Sequence, residues 1–272
     1  MKRVNSLFFI TILLIMNISC SYNENTLNSE SPTIPITDSI AHPEIVIEKK
    51  DSLSPLKYIY LTIDDAPLNG SKYIDSVILN QKIKTSLFVV GNAIDGSSRF
   101  RKYYSMFQEN PYVEIYNHSY SHANNKYTDY YKNPELVLND FEKNQNEFNI
   151  LHKIARLPGR NLWQTGEKTK NYKQTGSTSA GLLAENGYKI YGWDVEWTYN
   201  AKDYSPLKSI DELITEIENS YHSSKTFTPK HVVLLMHDQM FAKVNEKNNL
   251  GELITKLKEH DFIFEYLSSY PE

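Results

Sequence analysis

Two histidines stand four positions apart in Asn117-His118-Ser119-Tyr120-Ser121-His122, directly after the apolar run Tyr112-Val113-Glu114-Ile115-Tyr116. On a helical turn that spacing puts both rings on one side, where they can reach a common point. Neutral imidazole is the commonest protein ligand for a divalent transition metal, so the pair supplies half of a metal site. A catalytic zinc needs three protein ligands and an open position, which calls for a carboxylate elsewhere in the chain. Asp64-Asp65 offers one, closing the apolar run Tyr58-Ile59-Tyr60-Leu61-Thr62-Ile63. Adjacent acids at the end of a buried strand are costly unless something cationic compensates them. On an extended backbone neighbouring side chains diverge, so one carboxylate can bind a metal while the other handles water. Taken singly, an Asp-Asp pair is ordinarily a solvated turn, and either histidine a surface or structural residue. Both features at strand ends in one alternating chain point to a metal site.

Alternation supplies those strand ends. From Leu56 the expected elements are strand 58–63, a helix over 72–79, strand 85–90, a helix over 98–109 and strand 112–116. Pro134 opens a periodic helix running to about Leu151, with Leu136, Val137, Phe141 and Phe148 on its apolar side. Strand 153–156, a helix over 177–186 stopped by Gly187, strand 188–195, a helix over 209–221, strand 231–236, a helix over 250–259 and strand 262–266 complete the series. Strands alternating with helices imply parallel strands covered by helices. The expected fold class is therefore α/β, a single catalytic domain over 55–272 built as a distorted (β/α)7-type barrel, closed or incomplete. Asp64-Asp65, His118, Arg156, Asp194 and His237 all fall at or just past the C-terminal end of an expected strand, the rim on which such barrels assemble their sites.

The rest of the chain narrows the class. Its 272 residues carry a formal net charge of −4, which gives no reason to expect a nucleic-acid partner. No glycine-rich phosphate loop follows a strand, so no nucleotide is expected either. The twenty tyrosines offer flat faces to sugar rings, although most must serve as packing. Residues 1–20 read as an export signal, with Lys2 and Arg3 before the short apolar core from Leu7 to Met16. Asn17-Ile18-Ser19-Cys20 then places the single cysteine at the expected cleavage point, as in a bacterial lipoprotein with Cys20 lipidated; Asn17 departs from the usual leucine. Residues 21–54, rich in Ser, Asn, Thr, Pro and Glu, read as a flexible tether spanning roughly 30–35 Å. Ile45-Val46-Ile47 is the one stretch there able to dock as a strand. The expected location is lipid-anchored in the bacterial envelope, on the periplasmic or outer-membrane face, with the lipid as the only membrane contact.

The ordered set Thr62-Ile63-Asp64-Asp65-Ala66-Pro67, His118 to His122, Arg156-Leu157-Pro158-Gly159, Trp193-Asp194-Val195-Glu196-Trp197 and Leu235-Met236-His237 resembles the polysaccharide deacetylase family, carbohydrate esterase family 4, over about residues 57–270. The resemblance implies a divalent metal, zinc with cobalt or nickel as alternatives, held by Asp65, His118 and His122. It implies hydrolytic removal of N-acetyl or O-acetyl groups from a glycan, the metal acidifying water and polarising the acyl carbonyl. By the same resemblance Asp64 is the general base, His237 the general acid, and Arg156 the partner of the base. Pro158, Gly159 and Leu235 contact substrate, Gly159 through its N–H toward the oxyanion, and Trp197 is either a sugar platform or a core residue. Ile63 and Ala66 replace phenylalanine and glycine, and Gly159 stands where tyrosine is common. The fourth element is compressed, so that either Asp194 or Glu196 could orient His237. Two competing readings are a glycan-binding relic that keeps its metal for stability, and a mononuclear iron oxygenase using the same two-His, one-carboxylate set.

Overall fold

The computed structural model describes residues 56–171 and 173–272, all within the larger of two compact units, 50–272. The export signal, Cys20, the tether and the Ile45-Val46-Ile47 strand lie outside the described residues. Among the described residues no helix is long and apolar enough to cross a membrane.

The elements run β1 (Lys57–Ala66), α1 (Ser71–Gln81), β2 (Thr85–Val89), α2 (Gly91–Gly96), α3 (Ser98–Glu109), β3 (Val113–Asn117), α4 (Tyr127–Tyr130), α5 (Pro134–Glu147) and β4 (Ile154–Ala155). After these come β5 (Trp163–Thr165), β6 (Lys168–Lys170), α6 (Ser177–Glu185), β7 (Lys189–Ile190), β8 (Val195–Glu196), α7 (Ile210–His222), β9 (His231–His237), α8 (Leu250–Glu259) and β10 (Phe262–Phe264). Seven parallel strands follow one another in the order β7-β4-β3-β2-β1-β9-β8, with no pairing between β7 and β8. The barrel is therefore (β/α)7-type and open at that seam. An antiparallel hairpin, β5–β6, borders β7, and β10 pairs with the first residues of β1.

Period-2 alternation sorts the side chains into layers. Along β1, Ile59, Leu61 and Ile63 join the outer core with Ile74 and Ile78 of α1, Leu213 and Ile217 of α7, and Leu253 and Leu257 of α8. Tyr60 faces inward with Phe88, Tyr116, Ile154 and Val233. The same count sends Thr62 and Asp64 of β1, Arg156 after β4, Leu235 and His237 of β9, and His118 after β3 to the interior rim. A further core of Val137, Leu138, Phe141, Ala155, Leu183 and Ile190 packs α5 and α6 on β4 and β7.

Several expectations need correction. Strand 188–195 is two short strands, because the chain leaves the sheet at Gly192 and Trp193, between the Tyr191 N–H bonded to Ala155 O and the Asp194 N–H bonded to Val233 O. The helix opened by Pro134 ends at Glu147, and its buried stripe runs through Leu138 rather than Leu136, which is 60% exposed. Asn133 accepts from the Leu136 N–H as the N-cap, a bond that fixes where the helix begins.

One close approach ties the site's two central strands together. Asp238, wholly buried just after β9, accepts from Gly70 N–H at 2.7 Å and Leu68 N–H at 3.2 Å, and from the Ser71 hydroxyl. A Cβ on Gly70 would lie 2.0 Å from the Asp238 carbonyl oxygen, so no side chain fits there. Gly70→Ala should thus destabilise the fold by about 1–3 kcal/mol through overpacking, read as a lower urea midpoint. An unchanged midpoint would mean that the turn is not clamped in this way.

Candidate metal and hydrolase site

Asp64 and Asp65 reach the site by different means. Asp64 follows the alternation of β1, but Asp65 does not lie on extended backbone as expected. The register with β2 slips from Ile63↔Leu87 to Ala66↔Val89, a bulge with Asp65 at φ +66°. This kink turns the Asp65 carboxylate toward the rim beside Asp64, where simple alternation would send it outward.

The histidine segment likewise departs from the expected helical turn. Ser119, His122, Ala123, Asn124 and Asn125 all have positive φ, and the chain forms an irregular loop. The rings converge regardless, with centroids 5.1 Å apart. The loop is held from α5. Asn117 donates to Phe141 O and Gln145 Oε1, while its own Oδ1 accepts from Ser119 N–H and Asn144. The Asp140 carboxylate accepts from Ser121 and from the Tyr130 hydroxyl. Nothing in the sequence marked Asp140, Asn144 and Gln145, which occupy positions of α5 that apolar periodicity passes over.

His118 Nδ1–H donates to the Arg156 carbonyl at 2.8 Å, leaving its Nε2 lone pair toward the carboxylates. Asp65 Oδ1 lies 3.1 Å from His122 Nε2 and 3.6 Å from His118 Nε2. Ligand atoms about 2 Å from one tetrahedral ion sit about 3.3 Å apart. Among the described residues these three form the group whose donor atoms all lie within 4.8 Å of one another. Asp65 Oδ1 is buried and faces the Nε2 atoms of both histidines, as a donor atom kept for a shared cation would. The residues fit a divalent metal.

Charge supports the same geometry. Burial opposes ionisation of Asp65, but the hydrogen bond and charge of His122, with His118 and His237 beyond, hold its carboxyl well below the usual range. Burial pushes the His118 imidazole down against the pull of Asp64, favouring the neutral ligand form. His122 is also desolvated, yet its bond to Asp65 outweighs this and raises it.

Arg156, entirely buried, donates to Asp64 Oδ1 at 2.8 Å, to Thr62 Oγ1 and to the Tyr191 and Gly192 carbonyls. Asp64 Oδ2 lies 3.6 Å from His118 Nε2. His237 is the register partner of Asp64 across β1 and β9, and its ring packs edge-on to Tyr199 at 5.1 Å. His237 Nδ1 is buried and hydrogen-bonds to no described residue. Asp65, His122, Tyr127 and Tyr199 border a cleft of about 510 Å³. Gly159 lies beside Tyr127 at the rim, Pro158 is buried with its carbonyl accepting from Tyr131, and Leu235 is buried below. Tyr127 and Tyr199 had no sequence signal.

Two expected site residues lie elsewhere. Asp194 does not orient His237, because Oδ1 accepts from Phe227 N–H at 2.7 Å and Oδ2 from Val233 N–H at 2.9 Å. Trp197 cannot touch a sugar. The alternation that turns Glu196 inward turns Trp197 outward into the core, fully buried, with its indole N–H on Lys208 O.

Residues 53–158 match the family described as polysaccharide deacetylase. A putative polysaccharide deacetylase of Bacillus subtilis (strain 168) is 20% identical over 282 residues, covering 95% of this chain and 89% of its own. The chitin disaccharide deacetylase of Vibrio alginolyticus is 22% identical over 309 residues, covering 78% and 71%. The polysaccharide deacetylase Bc1974 from Bacillus cereus superposes with a TM-score of 0.55 at 21% identity, over 79% of this chain and 95% of that one. The catalytic domain of a peptidoglycan N-acetylglucosamine deacetylase from Eubacterium rectale gives 0.58 at 22%, over 82% and 95%. These likenesses show the fold.

Burial pushes the Asp194 carboxyl up to about 6, against the two N–H bonds it accepts. The folded state then holds this proton to higher pH than the unfolded chain. Its contribution to stability is full below about pH 4 and is lost as pH rises through about 6. The stability of the wild type minus that of Asp194→Asn should fall by up to roughly 3 kcal/mol between pH 4 and 7. Urea melts across that range check it, and a flat difference would contradict it.

Proposed function

We propose, for a chain whose residues 53–158 match the polysaccharide deacetylase family, metal-dependent hydrolysis of N-acetyl groups, or O-acetyl groups, on a glycan. The observation that carries this reading is the pairing of a three-ligand cluster with a second, arginine-clamped carboxylate beside it. Asp65, His118 and His122 would hold the ion, zinc by preference and cobalt or nickel as alternatives. When bound, the metal would acidify water and polarise the acyl carbonyl.

The protein's own groups supply the rest. Asp64 accepts the proton of the attacking water, and Arg156 fixes its orientation. Water oxygen bonds to the acyl carbon, the bond to nitrogen or oxygen breaks, and acetate leaves. His237 donates a proton to the departing amine or alcohol from its place across the strand pair. Glu196, the register partner of Leu235 across β8 and β9, is the carboxylate available to orient that acid. The Gly159 N–H would face the oxyanion, and Pro158 and Leu235 would border the acyl group.

Residues 1–20, with Cys20 lipidated, and the tether over 21–54 would keep the domain at the bacterial envelope. The basic start, the short apolar core and the small residue before Cys20 support this.

A second reading, glycan binding without turnover, draws support from His237 Nδ1, which has no hydrogen-bond partner among the described residues. Assays of acetate release from acetylated glycans, with zinc, cobalt or nickel added, separate the two. Release is expected, and Asp64→Asn should lower kcat by about 10²–10⁴ as for a lost general base. No release from any substrate, or release that the variant leaves undiminished, would overturn the hydrolase reading.

A further inference from the structure

The cleft at the metal ligands continues past Gln239, which also borders a second recess of about 530 Å³. The wall between them is continuous. Tyr199 of the first and Tyr204 of the second are 5.9 Å apart between ring centroids, and Leu68 and Asn69 are chain neighbours on either side. The second recess differs in charge. Lys202 and Lys243 border it, both exposed and, among the described residues, neither in an ion pair. Arg99 stands at its edge, donating to Asn69 Oδ1 at 2.8 Å. The acid in this wall, Asp203, already accepts from Ser205 N–H and Oγ. Three cations against one internally bonded carboxylate make a local positive excess in a chain of net charge −4.

Tyr204 adds a flat surface. It is 36% exposed with φ +60°, in a tight loop where its N–H donates to Asn200 O and the Asn200 N–H to Ser205 O. An aromatic face held rigidly on a loop suits a sugar ring, and cations around it suit an anionic substituent on that ring.

We infer that this recess binds an acidic sugar, bearing a carboxylate or a sulfate, next to the sugar that enters the metal cleft. The inference rests on the glycan reading of that cleft and names the substrate class as an anionic glycan. Tyr204 stacks on the acidic ring, Lys202 and Lys243 face its anionic group, and Asn69 and Gln239 meet hydroxyls.

Binding, rather than turnover, tests this independently of hydrolysis. The probes are three tetrasaccharides measured by calorimetry on the full chain loaded with zinc. One alternates N-acetylhexosamine with hexuronic acid, one carries sulfate in place of the carboxylates, and one is a neutral chito-oligosaccharide. At low salt an acidic probe should bind about tenfold tighter than the neutral one, an advantage that shrinks at 1 M salt. The Lys202→Gln/Lys243→Gln double variant should bring the acidic-to-neutral ratio near one, and Tyr204→Ala should weaken the acidic probe. Preference for the carboxylate or for the sulfate probe identifies the group; both support the inference. Equal binding of acidic and neutral probes, a preference that survives the double variant, or no binding of any probe would overturn it. If acidic binding follows the lysines while no glycan releases acetate, the hydrolase reading fails alone.

Discussion

The buried ion pair between Arg156 and Asp64 is the constraint on which the rest of this structure depends. Taking both charges out of water costs several kcal/mol per ion, about what excellent geometry and additional hydrogen bonds must offset. Arg156 meets that condition by donating three hydrogen bonds besides the one to Asp64, two of them to the Tyr191 and Gly192 carbonyls and one to Thr62 Oγ1. Those carbonyls belong to the segment that leaves the sheet between β7 and β8. The guanidinium therefore ties the segment that crosses the open seam to Thr62 and Asp64 of β1. Through its own carbonyl the same residue sets the His118 tautomer. Anchoring of that segment, orientation of the base and orientation of a metal ligand are thus one network, and loss of one member would disturb the others.

The remaining site residues sit on irregular backbone that regular structure holds from outside. The loop carrying His122 runs through five non-glycine residues at positive φ, a conformation that persists only when its surroundings over-determine it. Asp140, Asn144 and Gln145 of α5 provide that from one side. On the other, Asp238 fastens the turn after Asp65 to the end of β9, which keeps Asp64 opposite His237. Asn117, Asp140 and Gln145, buried or half-buried polar side chains that would be costly alone, are each hydrogen-bonded here to backbone or loop partners.

Alternation and strand ends made much of this legible in the sequence. The helices over 98–109 and 250–259 lie where periodicity put them, and the strand-terminal residues 64, 118, 156 and 237 share one rim. The parts that were not legible fail for identifiable reasons. Strand 188–195 looks continuous because Gly192 and Trp193 sit in an apolar run, yet the backbone there serves Arg156 instead of a neighbouring strand. The β5–β6 hairpin is short, and β6 is lysine-rich, with no alternation to detect. The kink at Asp65 and the turns at Ser119 and His122 need tertiary contacts that no local pattern encodes. Asp194 could not be told from Glu196 by face alone; what separates them is that backbone donors of Phe227 and Val233 occupy Asp194.

The central claim is that Asp65, His118 and His122 converge on a single ion next to an arginine-held carboxylate. The direct measurement is an anomalous difference map at the zinc edge from crystals of the metal-loaded protein. The account predicts one strong peak about 2.0–2.2 Å from Asp65 Oδ1 and from Nε2 of each histidine, with the Asp64–Arg156 contact intact beside it. A peak that lacks any of these three ligands, or zinc held only elsewhere on the chain, would contradict it.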